Sequence, residues 1–468
     1  MSRLLRLALP FCLAFAAASA VADDGDPDTS FSSDGKATFA WPDGQVQAET
    51  TAVATFADGS IAVAGWIDNG NNNRDFSVVR FTRNGDVDTM FGNLGSVVVP
   101  FDIMPGADDR AVAAFAQADG SLLVVGHAGI AVQPYQYPAL IRLLPNGQLD
   151  PSFGTGGKYV VTSHPLGTGA SLLFTKALRQ PDGKIVLAGI CGSCGNGGPP
   201  DFLALRLLAN GLPDAGFGNQ GWFNAGRVDG TAWVDETLTS IALDPAGRLL
   251  LGGYQEVPSD PNERRTPLVV CVGTNGQRDP TFGDDGYSAM NLLGSWEVGA
   301  ITAAQRTIAG GFIQRRIFVA VNLDADNSQT PASFLMAMNP DGDVLDTFGT
   351  NGLTDLTREE GTKIRALVMR PDDTVTAAGW IDRAGAAQYD FFVGRTLFDG
   401  TLDTTFDNDG VRVVAFDLTT NGEDLPTAMT LSALRPVVAG IARKQFGSQI
   451  WNTAVLRMNS DLIFESGF

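Results

Sequence analysis

Asp150-Pro-Ser-Phe153-Gly-Thr-Gly-Gly157 decides the fold, because the same stretch returns along the whole chain. It reads as an acid, two residues, Phe, Gly, two residues and Gly. Earlier copies are Asp28-Thr-Ser-Phe31-Ser-Ser-Asp-Gly35 and Asp88-Thr-Met-Phe91-Gly-Asn-Leu-Gly95. Later copies are Asp214-Ala-Gly-Phe217-Gly-Asn-Gln-Gly221, Asp279-Pro-Thr-Phe282-Gly-Asp-Asp-Gly286 and Asp403-Thr-Thr-Phe406-Asp-Asn-Asp-Gly410. A sixth, Asp346-Thr-Phe348-Gly-Thr-Asn-Gly352, is one residue short. Successive motif phenylalanines lie 60, 62, 64, 65, 66 and 58 residues apart. A fixed period of this size is the signature of a repeat architecture.

Each unit carries further signals. A β-prone run follows the motif glycine, as in Ser96-Val-Val-Val99 and Val411-Arg-Val-Val414. An Asp-Gly pair between apolar runs comes next, as in Ala57-Asp58-Gly59, Ala118-Asp119-Gly120 and Pro181-Asp182-Gly183. That is a hairpin signal, since glycine supplies the positive φ of such turns. A last run ends in arginine at Arg80, Arg142, Arg206, Arg395 and Arg457; Cys271 and Ala337 stand there in units four and five. Units five and seven lack the Pro-Asp-Gly turn, so longer or irregular turns are expected over Ile301–Leu323 and Ala428–Ile441. Four short strands per unit, with no helical periodicity, predict an all-β, seven-bladed β-propeller with about four antiparallel strands per blade. The expected single domain runs over 23–457, with its units starting near the seven motif phenylalanines and a C-terminal tail at 458–468.

The L-D-x-x-F-G-x-x-G motif, the P-D-G hairpin and the sixty-residue spacing together resemble the delta-60 repeat family of exported bacterial proteins. The resemblance covers nearly the whole chain after residue 22. It implies a propeller-like β architecture and brings no catalytic residues with it.

The start of the chain reads differently. Arg3 and Arg6 precede an apolar run over Leu7–Ala18, and Ala20-Val21-Ala22 offers small residues before Asp23 and Asp24. This pattern predicts a signal peptide over 1–22, cleaved near Ala22, and a secreted, periplasmic or cell-surface protein. Nothing later is long and apolar enough to span a bilayer, so no transmembrane segment is expected in the mature chain. Losing two arginines takes the formal net charge from −20 to −22. Such a surface repels phosphate backbones and argues against nucleic-acid binding. Of the four cysteines, Cys12 leaves with the signal peptide. In an oxidising compartment Cys191 and Cys194 are expected to close a structural disulfide, leaving Cys271 unpaired in a strand.

The motif residues read as scaffold. Phe is a wedge between blades, the acid accepts amide hydrogens in its own turn, and the arginine pairs with that acid or bridges blades. Calcium loops need several oxygen ligands per site. Asp407 and Asp409, or Asp284 and Asp285, offer some, while units two and three lack them. No metal site or other cofactor is therefore expected, with calcium left as an alternative.

Antiparallel alternation separates two ends. The Asp-Gly turns and the Asp-x-x-Phe motif, read as the inter-blade link, fall on one end. The remaining connections fall on the other. They include Asp68–Arg74, Cys191–Pro200, Gln255–Arg265, Asp324–Ser328, Pro105–Arg110, His164–Gly169 and Arg358–Gly361. Function on repeat scaffolds gathers in loops that escape the repeat, so this end is the expected binding face. Gly65-Trp66-Ile67-Asp68 recurs as Gly379-Trp380-Ile381-Asp382. A tryptophan beside a carboxylate suits a sugar ring and its hydroxyls, so Trp66, Asp68, Trp380 and Asp382 are the candidate ligand-binding residues; strand-end packing is the other reading.

No catalytic residue is predicted. His127 and His164 are the only histidines, and the chain has no Gly-x-Ser-x-Gly elbow, His-Glu-x-x-His pair or phosphate loop. The leading expectation is a monomeric, non-enzymatic binding or cell-surface module for an extracellular ligand, glycan or protein. The alternatives are a polysaccharide-active hydrolase or lyase, and a structural or adhesive protein.

Overall fold

The computed structural model describes residues 24–460 except 42–46, 69–72, 104–106, 130–135, 168–169, 195–198, 227–234, 257–264, 293, 324–330, 359–360, 384–388, 420–421 and 444–450. The predicted signal peptide lies outside the described residues. Among the described residues every regular element is a strand, and no helix is long and apolar enough to cross a membrane.

The chain forms a ring of seven four-stranded antiparallel sheets. A short strand, β1 (Lys36–Phe39), comes first. The first blade is β2 (Ala48–Thr55), β3 (Ile61–Asp68), β4 (Arg74–Phe81) and β5 (Ser96–Val99). The second is β6 (Asp109–Ala116), β7 (Leu122–Gly129), β8 (Gln136–Leu143) and β9 (Lys158–Val160). The third is β10 (Ser171–Arg179), β11 (Ile185–Gly192), β12 (Asp201–Leu207) and β13 (Trp222–Asn224). Next come β14 (Glu236–Leu243), β15 (Leu249–Glu256), β16 (Arg265–Val272) and β17 (Tyr287–Ala289), then β18 (Trp296–Thr307), β19 (Ile313–Leu323), β20 (Ala332–Met338) and β21 (Leu353–Asp355). The sixth blade is β22 (Thr362–Met369), β23 (Val375–Asp382), β24 (Tyr389–Thr396) and β25 (Val411–Val414). The seventh takes β26 (Asp424–Ser432), β27 (Arg435–Arg443) and β28 (Trp451–Arg457) from the end of the chain and β1 from its start, with Lys36 opposite Leu456 and Phe39 opposite Thr453. Met458, placed by the sequence in a tail, instead bridges Pro27 and is fully buried, so the closure extends past Arg457.

Both faces of every blade are apolar, because neighbours cover both. Along β3, Ala62 and Ala64 pack toward the second blade, while Ile61, Val63 and Ile67 pack toward the seventh. Seven hydrophobic clusters result, one between each pair of neighbouring blades. Each holds one motif phenylalanine, and these are at most 3% exposed. The wedge expected from the sequence is therefore present in every copy.

The motif acid and the recurrent arginine also meet. Arg206 Nε donates to Asp214 Oδ2 at 2.9 Å, Arg142 to Asp150 at 2.6 Å, Arg395 to Asp403 at 2.7 Å and Arg457 to Asp28 at 2.7 Å. The other carboxylate oxygen accepts the amide two residues on, as Asp150 does from Ser152 at 2.9 Å. The guanidinium stacks on the motif ring, 4.4 Å from Phe217 for Arg206 and 4.6 Å from Phe31 for Arg457. It then reaches the next blade, where Arg206 Nη1 donates to Thr274 O at 2.8 Å. Pairing and bridging are one arrangement. In units four and five the arginine moves to the neighbouring strand. Arg248 donates to Asp279 at 2.8 Å and to Pro340 O at 2.6 Å, while Arg316 lies 5.9 Å from the Phe348 ring and donates to Phe398 O.

Two sequence expectations need correction. The Asp-x-x-Phe motif is not the inter-blade link. Asp88–Gly95 joins β4 to β5 within one sheet, so the repeat read from the sequence is offset from the blade by one strand. The sorting of connections to two ends survives, because shifting by one strand moves motif and turn together. In the seventh blade the lost Pro-Asp-Gly is replaced by a shorter turn, not a longer one. Ser432 pairs with Arg435 around Ala433 and Leu434, which take φ of 46° and 75°. The fifth blade does lengthen its hairpin, to 12 and 11 residues in β18 and β19.

Candidate functional site

The first strand of each blade lines the central channel, and each has a β-bulge at the same place. The register slips at Thr51, Val112, Thr175, Thr239, Gly299, Arg365 and Thr427. A bulge bends its strand and re-aims the side chain, and all seven of these residues line one cavity of about 530 Å³. Thr51 Oγ1 donates to Ala111 O at 2.8 Å and Thr175 Oγ1 to Leu238 O at 3.3 Å, tying neighbouring bulges together. Opposite the first bulge stands Gly65, where a Cβ would sit 1.8 Å from Glu49 O. The fifth blade exchanges the two roles, with Val321 opposite the bulge and Gly299 within it.

The cavity opens on the end where function was expected. There the last residue of a second strand bonds the segment entering a first strand. Asp68 N donates to Gln47 O at 2.8 Å, Gly129 N to Asp108 O at 3.0 Å and Asp382 N to Gly361 O at 2.9 Å. The non-repeating connections therefore meet at this end, although much of Asp68–Arg74, Cys191–Pro200, Gln255–Arg265 and Asp324–Ser328, with parts of the other three, lies outside the described residues.

The described lining carries charge. Glu49 is the one carboxylate in it, beside Arg110, Lys176 and Arg365, with His127, Trp66 and Trp380. Burial pushes the Glu49 carboxyl above its ordinary value, opposed by Arg110, Arg74 and the Trp66 indole, which donates to it. Arg110 grips Asp108 through Nε at 2.9 Å and Nη2 at 2.7 Å, and Arg74 joins the same carboxylate at 3.2 Å. Arg365 pairs with Glu297 at 3.1 Å. The Lys176 ammonium makes no ion pair or hydrogen bond among the described residues. Burial, and then Arg365, push its ammonium down to about 8, with Glu49 opposing.

His127 is 2% exposed. Its Nδ1 lies 3.0 Å from Phe174 O, and since a carbonyl only accepts, Nδ1 carries the proton and Nε2 the lone pair. Nε2 is buried without a partner among the described residues. Burial, then Arg110, hold the ring down to about 4, so it is neutral at pH 7. Below the bulges the channel continues as a second space of about 230 Å³, and Thr51, Val112, Lys176, Arg365 and Thr427 line both spaces. Lys176 and Arg365 thus stand at the waist.

Of the residues chosen from sequence, Trp66 and Trp380 both line the cavity, while Asp68 and Asp382 close their strands outside its described lining. Trp66 is 7% exposed and carries the guanidinium of Arg74 at 4.6 Å and that of Arg110 at 5.4 Å. Its carboxylate neighbour is Glu49, across the strand pair, and not Asp68. Trp380 packs at 4.5 Å on Tyr389. Glu49, Arg110, Lys176 and Arg365 escaped the sequence reading. Their common signal is a charged residue on a channel-facing strand.

The remaining sequence candidates lie away from the described lining of the cavity. Cys191 and Cys194 are joined by a disulfide, and Cys271 is a buried free thiol that burial pushes up to about 12. His164 lies 5.9 Å from the Trp222 ring, outside the described lining of the cavity. Asp407 pairs with Arg412 at 2.7 Å, Asp409 caps Val411 N at 2.9 Å and Asp285 pairs with Arg278 at 3.2 Å.

Residues 57–91, 117–153 and 180–217 match the family model of a β-propeller described as a domain of unknown function (DUF5122). Each match ends on a motif phenylalanine and leaves the bulged strands outside. No curated protein matches the chain in sequence. Among solved structures the chain is similar to the β-propeller domain of the Trilobed protease from Pyrococcus furiosus, at 7% identity over 90% of this chain and 94% of that one, with a TM-score of 0.43. It is also similar to the Penicillium chrysogenum α-L-arabinanase complexed with arabinobiose, at 10% identity over 78% and 92%, with a TM-score of 0.41. A third is the subtype N11 neuraminidase-like protein of A/flat-faced bat/Peru/033/2010 (H18N11), at 12% identity over 93% and 96%, with a TM-score of 0.37. Similarity at this level carries nothing about a ligand.

Proposed function

We propose that this protein is an exported, non-enzymatic binding propeller that takes its ligand into the mouth of the central channel. The observation that carries the reading is the cavity of about 530 Å³ on the end where the copies differ, lined by polar and aromatic side chains. Its size falls in the range of small-ligand sites, about 300–1,000 Å³. Hydrolysis of a glycosidic bond ordinarily takes two carboxyl groups flanking it. The described lining supplies Glu49 alone, and that carboxyl is engaged by a tryptophan and surrounded by cations. This favours binding over turnover.

The test is a screen of the protein from residue 23 onward against a glycan panel, with and without calcium, joined to chromatography of each glycan that binds. Binding with every glycan recovered intact is expected. Shortened or unsaturated products would replace this reading with a polysaccharide-active enzyme, and no binding at all would leave a structural or adhesive role.

A further inference from the structure

We propose that the channel cavity recognises an acidic saccharide, with the Lys176 ammonium as the counter-charge to its carboxylate. This rests on the binding reading above and adds the chemical class of the ligand. The channel cations differ in how they are spent. Arg110 and Arg74 share Asp108, and Arg365 is committed to Glu297. Lys176 is left at the waist without an ion-pair partner among the described residues. A cation that lines a cleft without a counter-ion attracts an anion, and among the described residues none is at contact, Glu49 being the one carboxylate in the lining.

The other polar groups choose what carries that anion. His127 Nε2 is a buried acceptor with no donor among the described residues. The bulge hydroxyls of Thr51 and Thr175 donate to main-chain carbonyls, so their remaining capacity is as acceptors. These acceptors beside one unmatched cation fit a ligand that offers hydroxyl donors and bears a single negative charge. A sugar acid has that composition. A sugar phosphate shares the hydroxyls but brings a second charge, for which the described lining holds no further uncommitted cation.

Isothermal titration with galacturonate, glucuronate and mannuronate oligomers tests this, alongside their methyl esters, neutral galactose and glucose oligomers, and galactose 6-phosphate. At least one acidic oligomer is expected to bind, with its ester weaker by about tenfold or more and the phosphate weaker than the acid. Lys176→Met should abolish the preference, so that acid and ester bind the variant equally, while Lys176→Arg retains it. A thermal melt of each variant confirms folding, and the acid-against-ester comparison on the unaltered protein needs no variant. Equal binding of acid, ester and neutral oligomer would overturn the anion proposal and leave the binding module standing. Tighter binding of the phosphate would overturn the carboxylate. No binding by any saccharide would overturn both readings together.

Discussion

Asp28→Asn tests whether the ring is held shut by the motif that builds it. Asp28 is 3% exposed, and its Oδ2 accepts from Arg457 Nε at 2.7 Å and from Arg435 Nη1 at 2.6 Å. Its main chain is tied in as well, with Asp28 N donating to Arg457 O at 2.8 Å and Arg457 N to Gly35 O at 2.9 Å. Asparagine keeps an acceptor for Ser30 but removes the charge between two guanidinium groups, and Arg457 is 6% exposed. Removing one partner of a buried ion pair costs about 3–5 kcal/mol. The retained acceptor puts the expectation near the lower limit, about 3 kcal/mol. Asp88→Asn is the internal control. The Asp88 carboxylate lies 3.4 Å from Arg80 Nε and is 23% exposed, so about 1 kcal/mol is expected. Urea unfolding at pH 7, followed by tryptophan fluorescence, measures both. Amide exchange should locate the Asp28 loss in Lys36–Phe39 and β28. The pH dependence has a definite sign. Burial raises the Asp28 carboxyl, but the Ser30 hydroxyl and Arg457 outweigh it, and the net effect is a value below the ordinary 3.8. Its stabilisation is therefore complete above pH 3.8 and is lost as pH falls through the lower folded value. The gap between native and variant protein should close in acid. A loss for Asp28→Asn no larger than for Asp88→Asn would refute the reasoning.

Arg248→Met should cost as much as Arg206→Met, about 2–3 kcal/mol in the same urea assay, since both guanidinium groups hold a motif aspartate and a carbonyl of the next blade; a neutral Arg248→Met would show that the displaced arginine has no equivalent role. Replacing Ala433-Leu434 by Asn-Gly should raise stability by about 1–2 kcal/mol, because both residues hold positive φ that asparagine and glycine adopt more readily. An unchanged or lower melting temperature counts against that. Asp424 is pushed up to about 7 by burial, with Asp390 and Asp417 adding to it, although its Oδ2 accepts from Phe416 N at 2.6 Å. A raised carboxyl destabilises the fold fully above pH 7 and is relieved as pH falls toward the unfolded value. Asp424→Asn keeps an acceptor and should gain about 2–4 kcal/mol at pH 8, with the gain fading by pH 4. A native protein that is the more stable of the two at pH 8 would refute this.

The number of blades was legible because each inter-blade cluster needs a wedge, and the chain meets that need every time with a phenylalanine in one local turn. The phase of the repeat was not legible. A periodic string has no origin, and the strand pairing, of β5 on β4 as of β1 on β28 more than four hundred residues away, is what shows that the motif joins strands within a blade. The arginines of units four and five read as lost because a column of the repeat records position along one strand. A guanidinium is long enough to arrive from the strand beside it, as Arg248 and Arg316 do. The same limit applied to Trp66. A tryptophan next to an aspartate looks like a platform for a sugar, yet its ring is covered by Arg74 and Arg110, one from the far side of a connection and one from the next blade. Lys176 was hidden by the bulge itself. Strand reading assumes that side chains alternate between faces, and the slip at Thr175 resets that alternation, bringing two successive residues to the channel. The structure therefore moves the informative differences between copies inward. The bulge is shared by all seven blades, but it carries Thr in four of them and Val112, Gly299 and Arg365 in the other three. A ring of equivalent positions becomes an asymmetric wall, and selectivity requires asymmetry of that kind.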